Sequence, residues 1–256
     1  MLLLLADHPI ALVRRPAYDR TENGERPAEA HVTRVVSLNC STGDVRAADE
    51  VASFKPDIVL LQESPGREQL VQLAQQWYGD DGAVIWGRDA SIIARGQLVP
   101  IELPKAVAPN ATCARARLAS GAQLTVVCLR LAPAIVRLDL WSLDCWRQQM
   151  ANHRLRRSQL AAIVRSARPS DGLPLLIGGD FNAPAGDSVF DVLRPALHDA
   201  FAEAGRGWGN TIVNNWPFHR IDQVWLSTDL TASQVFAVRT DRSDHRMVVC
   251  DCATVR

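Results

Sequence analysis

The sequence predicts an α/β domain built on two mixed β-sheets, and three observations lead there. Short apolar runs, rich in β-branched residues, recur along the chain: TRVVSLN (33–39), PDIVLLQE (56–63), QLTVVCLRL (123–131) and MVVCDC (247–252). Helical spacing breaks into this series at intervals, so strands dominate the middle and the end. A doubly wound parallel sheet would alternate strand and helix throughout, which disfavours it here. With 256 residues, 47% of them hydrophobic, the chain can bury one sizeable core.

The elements follow in order. Residues 1–32 read as an N-terminal extension or linker, because AYDRTENGERPAEA is polar, carries Pro and Gly, and lacks periodicity. The folded domain spans 33–256. Its first strand ends on Asn39, and DVRAADEVASF (44–54) has helical spacing through Val45, Ala48, Val51 and Ala52. A second buried strand closes on Gln62 and Glu63 before a helix over 67–77. Four strands come next, GAVIW, ASIIAR, TCARARL and QLTVVCLRL, separated by Gly or Pro turns. The longest helix covers 145–168, with Leu155, Leu160, Ile163 and Val164 on one side. LPLLIGG (173–179), a short helix near 187–194, and the strands RIDQVWL, SQVFAV and MVVCDC complete the chain.

Composition excludes several classes. Lys plus Arg and Asp plus Glu both total 28, so no global field draws the protein to nucleic acid or to a membrane. The six cysteines form no CxxC pair and no His-spaced zinc pattern. Most sit inside apolar runs, where cysteine behaves as a small hydrophobe, and that usage favours a reducing compartment. MLLLL is too short for a signal sequence, and no stretch approaches the roughly 18 apolar residues of a membrane span. The expectation is a cytoplasmic protein with no transmembrane segment and no obligate protein partner.

The apolar runs end in an unusual way. LLIGGDFN stops on Asp180 and Asn182, VVSLN on Asn39 and IVLLQE on Glu63; RID places Asp222 at a strand entrance, and SDH puts Asp244 and His245 before the last strand. A core strand has no use for a terminal carboxylate, whereas a site that must hold polar groups still does. Ligand sites of α/β sheets gather where strand ends open into loops. Taken singly, each residue also fits turn chemistry. Arg67, one helical turn on from Glu63, offers a simple ion-pair partner, and Asp57 reads as a turn or capping group.

The order LN (38–39), LQE (61–63), GDFN (179–182), RID (220–222) and SDH (243–245) resembles the endonuclease/exonuclease/phosphatase superfamily over about Thr33 to Cys252. The resemblance implies a four-layer sandwich of two mixed β-sheets flanked by helices, and makes 33–256 a catalytic domain. It also implies cleavage of phosphate esters with a divalent cation, usually Mg²⁺, with Mn²⁺ as a substitute. In those roles Glu63, Asn39 and Asp244 hold the metal through oxygen. Asp180 orients and deprotonates the attacking water. Asn182 contacts the phosphate or the nucleophile, and Asp222 fixes the tautomer of His245 and favours its charged form.

One position departs from the family pattern. The strand corresponding to TVVCLRLAP often ends in a histidine, and here that residue is Arg130. Arginine keeps a cation and gains a bidentate fork suited to phosphate, but cannot give up a proton. The resemblance implies a phosphorylated substrate, with a phosphodiester in nucleic acid (DNA or RNA) or a small phosphorylated molecule as the leading expectation. The alternatives are a lipid or sugar-phosphate phosphatase on the same machinery, or a degenerate member that binds phosphorylated ligands without cleaving them. Residues 146–169 carry Arg147, His153, Arg154, Arg156, Arg157, Arg165 and Arg168 with no acid, either a basic edge near the site or a solvated helix face. Trp141, Trp146, Trp208 and Trp216 are candidates for stacking on a base or for ordinary packing. No GxSxG elbow supports a serine hydrolase.

Overall fold

The computed structural model describes residues 32–133, 141–168, 172–194 and 196–255. The expected extension, 1–32, lies outside the described residues except for Val32. The strands are β1 (Thr33–Asn39), β2 (Ile58–Gln62), β3 (Gly82–Ile85), β4 (Ala90–Ile101), β5 (Ala111–Leu118), β6 (Gln123–Arg130), β7 (Leu175–Asp180), β8 (Leu197–Asp199), β9 (Asp222–Ser227), β10 (Leu230–Val238) and β11 (Met247–Thr254). The α-helices are α1 (Val45–Asp49), α2 (Arg67–Tyr78), α3 (Leu143–Ala167) and α4 (Ala200–Ala204).

The mixed α/β class holds, with one difference in the sheet. The strands join in one ladder, β10-β11-β1-β2-β4-β5-β6-β7-β9-β8, with β3 on the other side of β4. Strand β4 is long enough to serve both halves. Its residues 90–94 pair with β2, and from Gly96 onward it pairs with β5. The sequence reading stopped this strand at Arg95, where the polar GQ interrupts the apolar run, whereas β4 continues to Ile101 and links the two halves into one curled, mixed sheet.

The curl brings the two halves face to face. Val35, Ile58, Leu60 and Ile92 of one half share a core with Val126, Leu176, Val224 and Leu226 of the other. Helix α3 covers the outer side of the second half, setting Leu160, Ile163 and Val164 against Val127, Leu129 and Ile177. Helices α1 and α2 do the same for the first half, through Ala47, Leu70 and Leu73 on Val36, Leu38 and Leu61. Inside the first half, Arg34 is almost wholly buried and grips Asp251 with two hydrogen bonds of 2.7 Å, while Gln234 also donates to that carboxylate. Deleting one partner of such a pair costs about 3–5 kcal/mol, since the other charge stays buried and unpaired.

Local boundaries differ modestly from the sequence reading. The helix expected over 44–54 is α1 followed by a 3-10 turn, Glu50–Phe54, and the one near 187–194 is a 3-10 turn, Ser188–Val192. Strand β8 and helix α4 were not anticipated: LHD and AFAEA are too short to show a period. The Asp199 carboxylate starts α4 by accepting the Phe201 N–H at 2.9 Å.

The two glycines that close β7 have a packing reason. Gly179 has φ 139°, and a Cβ there would lie 2.0 Å from the Leu129 carbonyl oxygen on β6. A Cβ on Gly178 would lie 2.6 Å from Leu60 Cδ1, across the core. Only glycine lets β7 come this close to its neighbours and present Asp180 at its end. Gly179→Ala should therefore lower stability by at least about 2 kcal/mol, combining backbone strain with overpacking. Chemical denaturation checks this, and an unchanged midpoint would show that β7 has room to spare.

Candidate active site

Topology gathers the polar strand ends on one edge of the sheet. Strands β1 and β2 run parallel, as do β6 and β7, so Asn39, Glu63, Arg130 and Asp180 all emerge at carboxyl ends. Strand β9 is antiparallel to β7 and begins at the same edge, pairing Asp222 with Asp180. Strand β11 is antiparallel to β1 and begins two residues after His245.

At the centre, the Asp180 and Asp222 carboxylates and the His245 ring have ligand atoms all within 4.8 Å of one another, and all three residues are buried. His245 Nδ1 contacts Asp222 Oδ2 at 2.9 Å, while Asp222 Oδ1 is buried with no hydrogen-bond partner. Asp180 accepts the Asn182 N–H at 2.9 Å and amide protons from Asn39 and Asn182, each at 3.2 Å. Burial, and then the charge of Asp222, push the Asp180 carboxyl up to about 7, with His245 and these hydrogen bonds pulling the other way. For His245 burial opposes the charge. The Asp222 carboxylate outweighs it, helped by Asp180 and Asp244, and the ring is raised to about 9.

Glu63 lies next to this centre, not within it. Asn39 bridges the two, donating to Glu63 Oε1 at 3.2 Å as well as to Asp180. The other Glu63 oxygen accepts the Thr42 N–H at 2.6 Å. The ion-pair partner of Glu63 is Arg130, at 2.7 Å, in place of the expected alternative Arg67. Glu63 and Asn182 both hold positive φ, 45° and 49°, so the backbone is bent sharply where each side chain is aimed. Asp244 has an exposed side chain, and its charge acts on the neighbouring His245 ring. Asp57 is structural, accepting the Arg34 N–H at 2.9 Å.

Several positioning residues escaped the sequence reading. Thr211 Oγ1 accepts the N–H groups of Ile221 and Asp222, at 3.3 and 3.2 Å, and fixes the entry to β9. Ser243 Oγ donates to the Asn39 carbonyl at 2.7 Å and accepts the His245 N–H at 3.0 Å, which joins the end of β1 to the histidine. Asn214 binds the Thr240 and Ser243 carbonyls, and its N–H reaches the Asp244 carbonyl. Arg156, counted in the basic stretch, is buried and donates to the Asn182 carbonyl at 2.7 Å. His153 and Arg157 likewise bind the segment around Asp187 and Ser188. Much of the basic stretch thus braces the loop after β7, while Arg154, Arg165 and Arg168 remain at the surface.

Trp141 and Trp216 are exposed, and Trp208 donates to the Pro217 carbonyl. Thr211 receives the two amides at the start of β9, so Thr211→Val should strand two buried N–H groups. The expected loss is about 1–3 kcal/mol of stability, together with faster amide exchange at Asp222. Wild-type exchange there would show that the hydroxyl does not hold the segment.

Comparison with known proteins gives the same frame. The family model described as Endonuclease/Exonuclease/phosphatase family matches residues 36–245. No curated protein matches the chain. Among solved structures, a family protein from Bacteroides thetaiotaomicron has a TM-score of 0.68 at 15% identity, covering 88% of this chain and 95% of the other. A mannosyl-6-phosphatase, Bt3783 of the same organism, has a TM-score of 0.64 at 15% identity, with 86% and 99% covered. D. rerio TDP2, solved with a single-strand DNA product, has a TM-score of 0.62 at 17% identity, with 87% and 99% covered. These likenesses establish the fold. With the family model spanning β1 to His245 and every motif end at one sheet edge, the chain belongs to the endonuclease/exonuclease/phosphatase family.

Proposed function

We propose that the protein is a Mg²⁺-dependent phosphoesterase that hydrolyses a phosphodiester by attack of water. The buried Asp180–Asp222–His245 cluster, with Asn39 and Asn182 both bonded to Asp180, carries this reading. The residues beside this cluster fit a divalent cation: Glu63 and Asn39 carry hard oxygens and lie in hydrogen-bond contact with each other. His245, held charged by Asp222, already supplies the cation between the two aspartates. A metal therefore belongs on the Glu63 side, held by Glu63 and Asn39, with Asp244 as the third oxygen donor. When bound, Mg²⁺ supplies Lewis acidity and a template for the phosphate.

The chain's own groups do the rest. Asp180, at about 7, is suited to take a proton from water near neutral pH, where a general base is most effective. Asn182 fixes the Asp180 carboxylate through both its N–H and its amide. The second nitrogen of His245 is the free donor for a phosphate oxygen, and the Arg130 guanidinium is a further anion contact. Exposed Trp216 and Phe218 lie on the loop that Asn214 ties to Asp244, and offer flat surfaces to a base. That feature, and the DNA product in the TDP2 structure, favour a nucleic-acid phosphodiester. A sugar phosphate is the second reading, favoured by the likeness to the mannosyl-6-phosphatase.

The test separates metal holding from proton transfer, on the best substrate among a phosphodiester, a phosphomonoester, DNA and RNA. Glu63→Gln should weaken Mg²⁺ binding and activity together. Asp180→Asn should keep metal affinity and lower kcat by about 10²–10⁴-fold. Equal loss of metal affinity in both variants would remove Asp180 from the base role, and no hydrolysis of any of the four would refute the catalytic reading.

A further inference from the structure

Arg130 is poised where a metal would sit. Its Nη2 donates to Glu63 Oε1 at 2.7 Å, and its Nη1 lies 3.7 Å from Asp89 Oδ2. Its Nε is buried without a hydrogen-bond partner. The other Glu63 oxygen holds the Thr42 N–H, so both carboxylate oxygens are already engaged. Arg130 and Glu63 are each about one-fifth exposed, at 23% and 22%, so the pair is only partly screened by water. The guanidinium is a fixed cation, so a dication drawn to Glu63 Oε1 meets a like charge in contact with that oxygen unless the pair separates.

We propose that Arg130 is a built-in competitor of the metal at Glu63, and that a tetrahedral oxyanion releases it, so that metal and phosphate group bind cooperatively. The inference rests on the reading that Glu63 holds the metal. The guanidinium has the fork geometry for a phosphate oxygen pair and one unspent donor in Nε. An anion arriving beside it offers a better partner than a carboxylate that a metal is also drawing on. Withdrawal of the arginine then frees Glu63 Oε1. Thermodynamic linkage makes the effect mutual: the anion tightens the metal, and the metal tightens the anion by the same factor.

Calorimetric titration of Mn²⁺ into the parent, Arg130→Gln, Arg130→Lys and Glu63→Gln proteins, with and without sulfate as the oxyanion probe, tests the proposal without any turnover. Arg130→Gln should bind Mn²⁺ at least about fivefold tighter than the parent in the absence of sulfate, the low end of usual coupling. Arg130→Lys keeps a cation opposite Glu63 and should stay near the parent. Sulfate should tighten Mn²⁺ in the parent by a similar factor and have no effect in Arg130→Gln. Equal or weaker Mn²⁺ binding by Arg130→Gln, or indifference of the parent to sulfate, overturns the competition while Glu63→Gln still loses Mn²⁺. If Glu63→Gln binds Mn²⁺ as the parent does, the metal is not at Glu63 and both readings fall.

Discussion

Two carboxylates buried against each other set the terms for the rest of the structure. Asp180 and Asp222 are each 1% exposed and face one another across the β7–β9 ladder. Like charges at that separation, out of water, cannot both stay ionised without a counter-charge. The fold answers with His245, whose ring lies on Asp222, and with a carboxyl on Asp180 that shares the strain by rising to about 7. The surrounding architecture places and holds these three groups.

The sheet does this by direction and register. Two parallel pairs send four polar residues to one edge, and two antiparallel strands start from that edge with Asp222 and His245 close at hand. The glycines before Asp180 let β7 lie tight between β6 and the opposing half of the sheet. Backbone amides and hydroxyls then set the last ångström: Thr211 on the entry to β9, Ser243 between Asn39 and His245, Arg156 on the Asn182 carbonyl. The aspartates and histidine would be too costly on mobile loops, because each buried charge needs its partner fixed in place.

Much of this was legible in the residues. An apolar run that ends in Asp, Asn or Glu is visible without any structure, and three such ends, followed in order by RID and SDH at the entrances of two later strands, are hard to assign to turns. The strands with strong β-branched runs lie close to where the sequence puts them. What was hidden depended on distance in space. The length of β4 turns on a polar stretch that reads as the strand's end. Strand β8 and helix α4 are shorter than one detectable period. Thr211, Ser243 and Asn214 carry no signal, since a hydroxyl or amide that binds backbone looks like any loop residue. The Arg130–Glu63 pair spans 67 positions, and no local spacing announces it.

The charge on His245 is the most direct test of the central claim. Its folded value, about 9, lies above the ordinary 6.5, so the ion pair with Asp222 contributes stability that is fully present below pH 6.5. That contribution is lost as pH rises through about 9. A ¹⁵N NMR titration of the imidazole in the metal-free protein reads this state at the one residue that matters. The structure predicts a protonated ring throughout the neutral range, titrating near 9, and a downward shift in Asp222→Asn. A ring that titrates at or below 6.5 in the parent protein would contradict the claim.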